Sequence, residues 1–139
     1  MSQFEIVMRK PTPEELITMR ACVGWPPRTV EDARLGLEGT LFGVCALAGG
    51  ELAGMARVVG DGRTVFYVQD VIVRPEHQGN GLGRAIMEKV MEYVGAHACR
   101  GAVVGLMAAC GKEPFYQKFG FRVRPNEREG AGMIQFWKL

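Results

Sequence analysis

Residues 65–107 of this 139-residue chain decide the fold, and they read VFYVQDVIVRPEHQGNGLGRAIMEKVMEYVGAHACRGAVVGLM. The apolar run at 65–73 is typical of a strand that is covered on both faces. After a glycine-rich turn, apolar side chains recur at helical spacing from Ile86 to Val94, opposite a charged side. Residues 102–107 then indicate another strand. Because a helix connects the two strands, we expect them to lie parallel in one sheet.

Weaker signals on either side of this unit predict a mixed α/β fold. Thr12 and Pro13 form a helix start, with the threonine as N-cap and the proline at the first helical position. Gly49-Gly50 is a two-residue hairpin signal. The remaining predicted elements are a strand at 4–8, a helix from 13 to near 24, a short helix at 30–37, strands at 41–48 and 52–59, a short helix at 113–118 and a last strand at 133–138. We therefore expect a single domain over 1–139, with a mixed sheet and helices on both faces.

The composition is that of an ordinary globular protein. Hydrophobic residues make up 47% and charged residues 23%, which argues against a disordered chain. Lys and Arg exceed Asp and Glu by 17 to 15, a net charge of +2 that does not indicate a nucleic-acid or membrane-surface partner. The sequence has no apolar run of about 20 residues, and its start lacks the pattern of a signal peptide. We therefore expect a cytoplasmic protein.

The cysteines and histidines do not form a metal-binding pattern. The four cysteines are Cys22, Cys45, Cys99 and Cys110. No two of them have metal-ligand spacing, and both histidines are isolated in the sequence. Each cysteine has small or apolar neighbours, so we predict buried free thiols and no metal site.

The glycine-rich turn from Gln78 to Arg84 predicts an anion site. Glycines allow the backbone to turn several N–H groups toward one point, and the start of the following helix adds a partial positive charge. The alternative is a plain glycine-rich connection. A dinucleotide fingerprint fails because Arg84 stands where the third glycine belongs, and a P-loop fails because Glu113 stands where Ser or Thr is required.

Three segments resemble the motifs of the GNAT superfamily, the GCN5-related N-acetyltransferases. The turn fits Q-x-x-G-x-G with Gln78, Gly81 and Gly83. Residues 70–75, DVIVRP, resemble the end of the family's motif A strand, and residues 115–121, FYQKFGF, resemble its motif B. The resemblance covers nearly the whole chain. It implies a mixed sheet whose two central parallel strands splay apart to admit acetyl-CoA, and an N-acetyltransferase acting on a primary amine.

The resemblance also implies the contacts with acetyl-CoA. The pantetheine arm would pair with the backbone of one strand, and the pyrophosphate would accept hydrogen bonds from N–H groups of the turn. The Gln78 side chain would brace either the loop or the ligand, and Arg84 would add positive charge. The residues so assigned are Val71, Ile72, Val73, Gln78, Gly79, Asn80, Gly81, Leu82, Gly83 and Arg84.

Two residues are candidates for proton transfer. The polar pair Gln69-Asp70 interrupts an apolar run, which predicts a β-bulge. At that bulge Asp70 would lie nearest the splay, so it is the candidate base for the acceptor amine, or else a carboxylate that only caps the bulge. Tyr116 matches the tyrosine of motif B and would protonate the departing thiolate, whereas without the resemblance it reads as core packing. A backbone N–H near Val71 or Ile72 would polarise the thioester carbonyl.

The acceptor and the assembly are less determined by the sequence. The resemblance implies that the acceptor side is built from the first helices and their loop, residues 20–39 with Trp25-Pro26-Pro27 at the middle. Glu31, Asp32 and Glu38 could attract a cationic amine there or simply meet solvent. The acceptor could be a small amine, an amino sugar, a peptide N-terminus or a lysine side chain, and a homodimer is possible. The alternatives are a non-catalytic acyl-CoA sensor and a nucleotide-binding α/β domain.

Overall fold

The computed structural model describes residues 3–138, which divide into two compact units, one ending at Gly105 and one beginning at Leu106. The first unit holds β1 (Phe4–Val7), α1 (Pro13–Cys22), α2 (Val30–Glu38), β2 (Phe42–Ala48), β3 (Glu51–Gly60), β4 (Val65–Val73), a 3-10 turn (Pro75–His77), α3 (Leu82–His97) and β5 (Val103–Gly105). The second unit holds α4 (Glu113–Gln117). That residues 1–139 act as a single domain stays a prediction.

The sheet has five strands in the order β1-β2-β3-β4-β5. The first three pairings are antiparallel, and β2 and β3 are joined by the two-residue turn that Gly49-Gly50 predicted. The pairing of β4 with β5 is parallel, with α3 as the connection between them. The parallel pair that the stretch 65–107 predicted is therefore confirmed, and so is the mixed sheet.

The start of α1 follows the predicted capping pattern. The Thr12 hydroxyl accepts a hydrogen bond from the Glu15 N–H, and the Glu15 carboxylate accepts one from the Thr12 N–H, a reciprocal capping box. Arg9 donates two further hydrogen bonds to the Glu15 carboxylate. These guanidinium contacts lower the pKa of the Glu15 carboxyl below its usual value. Local polar contacts therefore fix the position of α1 at its first turn.

Helices cover both faces of the sheet. Met55 of β3 belongs to a buried cluster with side chains of α1 and α2, including Leu16, Met19 and Leu37. A Cβ at the neighbouring Gly54 would instead lie 2.8 Å from the Ile86 side chain of α3. Because successive strand residues point to opposite faces, α1 and α2 pack on one face and α3 on the other.

Two predictions were wrong. As far as the structure describes residues 106–138, they contain α4 and no strand, so the predicted strand at 133–138 is absent. The segment holds the apolar pairs Met133-Ile134 and Phe136-Trp137, not an alternation, and these four side chains are 60% to 89% exposed. The cysteines are free, but Cys45 is the buried one and Cys110 is exposed, because it lies in the turn that precedes α4.

Candidate functional site

The glycine turn at the start of α3 is open to an approaching ligand. Gly81 is the N-cap residue with φ +78°, and Gly79 has φ +83°, a left-handed conformation that side chains rarely adopt. A Cβ atom built at either position would meet no atom within 4 Å. These two glycines are therefore required by the backbone conformation, and the space above them is free for an anion.

The other residues of the turn have distinct surroundings. The Gln78 side-chain amide donates to the Val73 carbonyl at 3.0 Å, so this glutamine braces the loop against the end of β4. Leu82 is buried, which leaves its backbone as the part that a ligand could contact. Arg84 is exposed and lies 3.2 Å from the Glu88 carboxylate. The turn therefore offers a bracing side chain, backbone N–H groups and one exposed positive charge.

β4 extends beyond the end of its parallel partner β5. Val65–Val73 of β4 pairs with β5 only at its first three residues, opposite Val103–Gly105. Since β5 ends at Gly105, β4 continues beyond its pairing with β5, and Val71 to Val73 lie in that continuation. The Ile72 side chain is 2% exposed and fills the core, so the backbone is the part of this segment that could pair with a ligand. The splay itself stays a prediction, and among the described residues β5 is the last strand of the sheet and not a central one.

The bulge predicted at Gln69-Asp70 is confirmed. Met55 of β3 faces Ile72, and Arg57 faces Gln69, so one residue of β3 stands opposite two residues of β4. Asp70 itself has φ +54°, a left-handed conformation that aspartate tolerates better than most residues. The bulge lies directly before the segment assigned to acetyl-CoA.

The Asp70 carboxylate is buried between two arginines. Arg20 of α1 donates from Nη1 to Oδ1 at 2.7 Å, and Arg57 of β3 donates from Nε to Oδ2 at 2.8 Å. The Asp70 side chain is 1% exposed. Each carboxylate oxygen therefore already accepts a strong hydrogen bond. The role of Asp70 as a base stays a prediction.

Sequence reasoning did not find Arg20 and Arg57. Both could have been noticed, because each is a cation at an inward-facing position. Arg20 follows Leu16 by four residues on the buried side of α1, and Arg57 interrupts the apolar run of β3. A charge on an apolar face is rarely left unpaired, so it predicts a buried partner without naming it.

Tyr116 lies in an aromatic cluster of the second unit. Its ring packs edge-on against Phe115 at 5.0 Å and Phe121 at 6.2 Å between centroids. Burial raises the pKa of its hydroxyl above the usual value. The hydroxyl is therefore protonated at neutral pH, which is the state that a proton donor requires. Its role as an acid stays a prediction.

The acidic residues proposed for the acceptor side are mostly paired. Arg34 of α2 lies 2.7 Å from the Glu31 carboxylate and 2.9 Å from that of Glu38, all three exposed. The backbone N–H of Asp32 is capped by the Thr29 hydroxyl. Two of the three acids are thus neutralised locally, which weakens their attraction for a cationic amine.

Residues 3–138 contain neither a candidate membrane span nor a candidate metal site. No helix there is long and apolar enough to cross a membrane. No group of three or more His, Cys, Asp or Glu side chains in that range is placed to hold a metal ion.

Comparison with known proteins adds the family. A protein-family model described as "Acetyltransferase (GNAT) domain" matches residues 26–136, which is most of the chain. The chain belongs to the GNAT acetyltransferase family. A chloroplastic serotonin N-acetyltransferase 2 of Oryza sativa subsp. japonica is 34% identical over 123 residues, which are 83% of this chain and 58% of that protein. The chain therefore spans less than two thirds of this relative. A glucosamine 6-phosphate N-acetyltransferase of Trypanosoma brucei brucei is 33% identical over 66 residues, 48% of this chain and 44% of that protein.

Solved structures share the whole fold. A probable acetyltransferase from meticillin-resistant Staphylococcus aureus, described as a protein of unknown function, has 35% identity and a TM-score of 0.87, covering 96% of this chain and 99% of that one. A GNAT family protein from Streptococcus pneumoniae has 26% identity and a TM-score of 0.80, covering 98% of this chain and 99% of that one. The likeness thus extends to the second unit, not only to the sheet.

Proposed function

We propose that this chain transfers an acetyl group from acetyl-CoA to a primary amine by direct attack of the amine on the thioester. The observation that carries the proposal is the continuation of β4 past the end of β5, followed by an unobstructed glycine turn, in a chain of the GNAT family. The continuation of β4 suits an extended chain with amide groups, and the turn suits a pyrophosphate. Pantetheine followed by pyrophosphate is the order in which CoA presents these groups.

The proposed contacts with acetyl-CoA are made mainly by backbone. The amides of the pantetheine arm would pair with Val71 to Val73 as an added strand does, since β4 runs past its β5 partner there. The pyrophosphate would accept hydrogen bonds from N–H groups between Gly79 and Arg84. The open space over Gly79 and Gly81 supports this fit, because any side chain there would stand where the phosphates approach.

The reaction needs two proton transfers. An alkyl amine has a pKa near ~10.4, so only about one molecule in a few thousand is neutral at pH 7 and able to attack. The neutral nitrogen forms a bond to the thioester carbon, and the C–S bond then breaks to give the amide and the CoA thiolate. After the attack, the nitrogen must lose one proton to a base to become the amide nitrogen. The thiolate takes a proton from the Tyr116 hydroxyl or from water.

Of the two proton-transfer groups, the base for the amine has less support than the acid for the thiolate. Asp70 is the carboxylate next to the proposed thioester site, as the sequence predicted. Its side chain is 1% exposed and both oxygens accept from guanidinium groups, which leaves little access for an amine or a water. We therefore propose that a chain of water molecules removes the proton from the acceptor amine, and that Asp70 has a positioning role.

The names of the relatives are consistent with an amine acceptor. Serotonin and glucosamine 6-phosphate, named in two of them, each carry a primary amine. We propose the same class of acceptor here. A non-catalytic acyl-CoA sensor is the second candidate, and it would bind acetyl-CoA without releasing thiol in the presence of any amine.

Thermal denaturation with three ligands tests the proposed site. Acetyl-CoA and CoA at about 100 times their dissociation constants should each raise the melting temperature by roughly 5–10 °C, while ATP at the same concentration should raise it much less. The physical reason is that ATP lacks the pantetheine arm that pairs with β4. A shift with ATP as large as that with acetyl-CoA would favour a nucleotide-binding domain and contradict the proposal.

A further inference from the structure

A network of buried polar side chains joins α1, the following loop and two strands at the β4 bulge. We call it the Asp70 network, and it consists of Arg20, Thr40, Arg57 and Asp70 together with the carbonyl of Pro26. Arg20 contacts Asp70 at 2.7 Å and donates from Nε and Nη2 to the Pro26 carbonyl at 3.2 and 3.0 Å. Arg57 contacts Asp70 at 2.8 Å and the Thr40 hydroxyl at 3.0 Å.

The network ties both ends of one segment to the bulge. At the first end, Arg20 holds the loop after α1 through Pro26, and its guanidinium carbon lies 5.5 Å from the centre of the Trp25 ring. At the second end, the Thr40 hydroxyl donates to the Gly36 carbonyl of α2 at 3.0 Å. The loop before α2 and the end of α2 are therefore positioned relative to the same carboxylate.

This arrangement is not what stability alone favours. Two guanidinium groups and one carboxylate are taken out of water, and an apolar replacement of similar volume is often at least as stable. Throughout residues 3–138, no buried side-chain nitrogen or oxygen lacks a hydrogen-bond partner, so the network is complete. A complete network of fixed geometry suits the positioning of a site.

The position of the loop gives the network a functional meaning. Asp70 directly precedes Val71, where the proposed pantetheine segment begins. Trp25 and Pro26 are partly exposed, so they present apolar surface beside that point. The GNAT resemblance implies an acceptor beside the first two helices, and this loop joins them.

We propose that Arg20, Asp70 and Arg57 are positioning residues that hold the Trp25–Pro26 loop against the β4 bulge and thereby align the acceptor amine with the thioester. This inference rests on the proposed function. It assigns Asp70 to geometry and not to proton removal. Trp25 reports the position of that loop, because its ring lies beside the Arg20 guanidinium.

The fluorescence of Trp25 tests the structural half without any substrate. The chain has two tryptophans, and Trp137 is 80% exposed, so a Trp137→Phe background leaves Trp25 as the sole reporter. In that background Arg20→Met should shift the Trp25 emission to the red and make it severalfold more accessible to acrylamide. Arg34→Met is the matched control, because Arg34 also makes two ion pairs but they are exposed and lie on α2. It should leave the emission unchanged.

Steady-state kinetics test the functional half. Arg20→Met should lower kcat/KM for the acceptor about 10- to 100-fold, because a small misplacement of reacting groups costs that much, while KM for acetyl-CoA stays within about twofold. Asp70→Asn should lower the rate by the same factor at every pH from about 6 to 9. A loss that grows as the pH falls would identify Asp70 as the base and overturn the positioning role.

The outcomes separate this inference from the proposed function. If the wild type acetylates no amine but Arg20→Met shifts the Trp25 emission to the red, the proposed function fails and the contact between Arg20 and the loop is confirmed. If the wild type is active while Arg20→Met changes neither Trp25 nor the acceptor kcat/KM, the inference is overturned. Should Arg20→Met not fold, Arg20→Lys decides, since lysine keeps the charge beside Asp70 but cannot also reach Pro26 in the same geometry. It should release Trp25 in the same direction, and an unchanged Trp25 emission overturns the inference.

Discussion

At the scale of single residues, Tyr116 carries the sharpest prediction. Tyr116→Phe should lower kcat about 10- to 1000-fold and leave acetyl-CoA affinity nearly unchanged, because the hydroxyl matters only when the sulfur becomes negative. Burial raises the pKa of this hydroxyl, so it stays protonated across the neutral range, and the wild-type rate should not fall through loss of its proton between about pH 6 and 9. Turnover and acetyl-CoA binding of the two proteins are compared on one accepted amine.

A second tyrosine provides the control for that comparison. Tyr93 stacks on Phe42 at 4.6 Å in the first unit, and Tyr93→Phe removes a hydroxyl without touching the aromatic cluster of Tyr116. It should leave kcat within about twofold. If Tyr116→Phe turns over nearly as fast as Tyr93→Phe, with chemistry rate-limiting, water is the proton donor and Tyr116 is a packing residue.

Asp70 illustrates what a sequence can and cannot predict about one residue. Its polar pair inside an apolar run is a local signal, and the bulge lies where that signal placed it. Its partners Arg20 and Arg57 are 50 and 13 positions away in the chain. No periodicity links such positions, because the Arg20 contact arises only when α1 packs on the sheet and the Arg57 contact only when β3 pairs with β4. The sequence could therefore predict the bulge at Asp70, but not that two arginines would bind its carboxylate.

At the scale of elements, the N-terminus of α3 is where acetyl-CoA binding is tested. Gly81→Val should abolish the stabilisation of the fold by acetyl-CoA, since a branched side chain would stand in the open space above the turn. Valine at φ +78° also strains the backbone, which lowers the melting temperature without ligand. The measurement is the change in melting temperature on adding acetyl-CoA. It is taken relative to the same variant without ligand, so the lower stability of the variant does not affect it.

The matched control is a glycine with the same conformation at the opposite end of the helix. Gly101 has φ +83° and open space around it, and it follows the end of α3. Gly101→Val should cost similar stability but retain the full response to acetyl-CoA. An equal change in melting temperature with acetyl-CoA in both variants would contradict the assignment of the pyrophosphate to this turn.

Elements with strong local signals matched their predictions, and those without did not. Thr12, Pro13 and Glu15 form a complete capping pattern, and α1 begins there. β4 has the predicted bounds, because its apolar run is long and is bounded by turn residues. The strand predicted at 133–138 rested on apolar content alone. Apolar residues in adjacent pairs do not specify one face, and a strand exists only where a neighbour supplies its hydrogen bonds.

At the scale of the whole molecule, the topology lets β4 extend past its parallel partner, as the proposed function needs. A parallel pair joined by a long helix can diverge, since no tight turn holds the strands together at either end. Here β4 runs on after β5 has ended, and the bulge at Asp70 lies in that continuation. The parallel pair could be predicted from strand, helix and strand in sequence. The splay was implied only by the resemblance to the GNAT family.

The measurement that tests the central claim most directly is acetyl transfer by the purified chain. The protein is incubated with acetyl-CoA and a panel containing a small amine, an amino sugar, a peptide N-terminus and a lysine side chain. Released thiol and the acetylated amine are quantified together, by colorimetry and mass spectrometry. The proposed function predicts that at least one amine yields one thiol for each acetyl group transferred, and that thiol release stops when the amine is omitted. Stabilisation by acetyl-CoA with no thiol released for any amine would contradict the proposed function and identify a sensor.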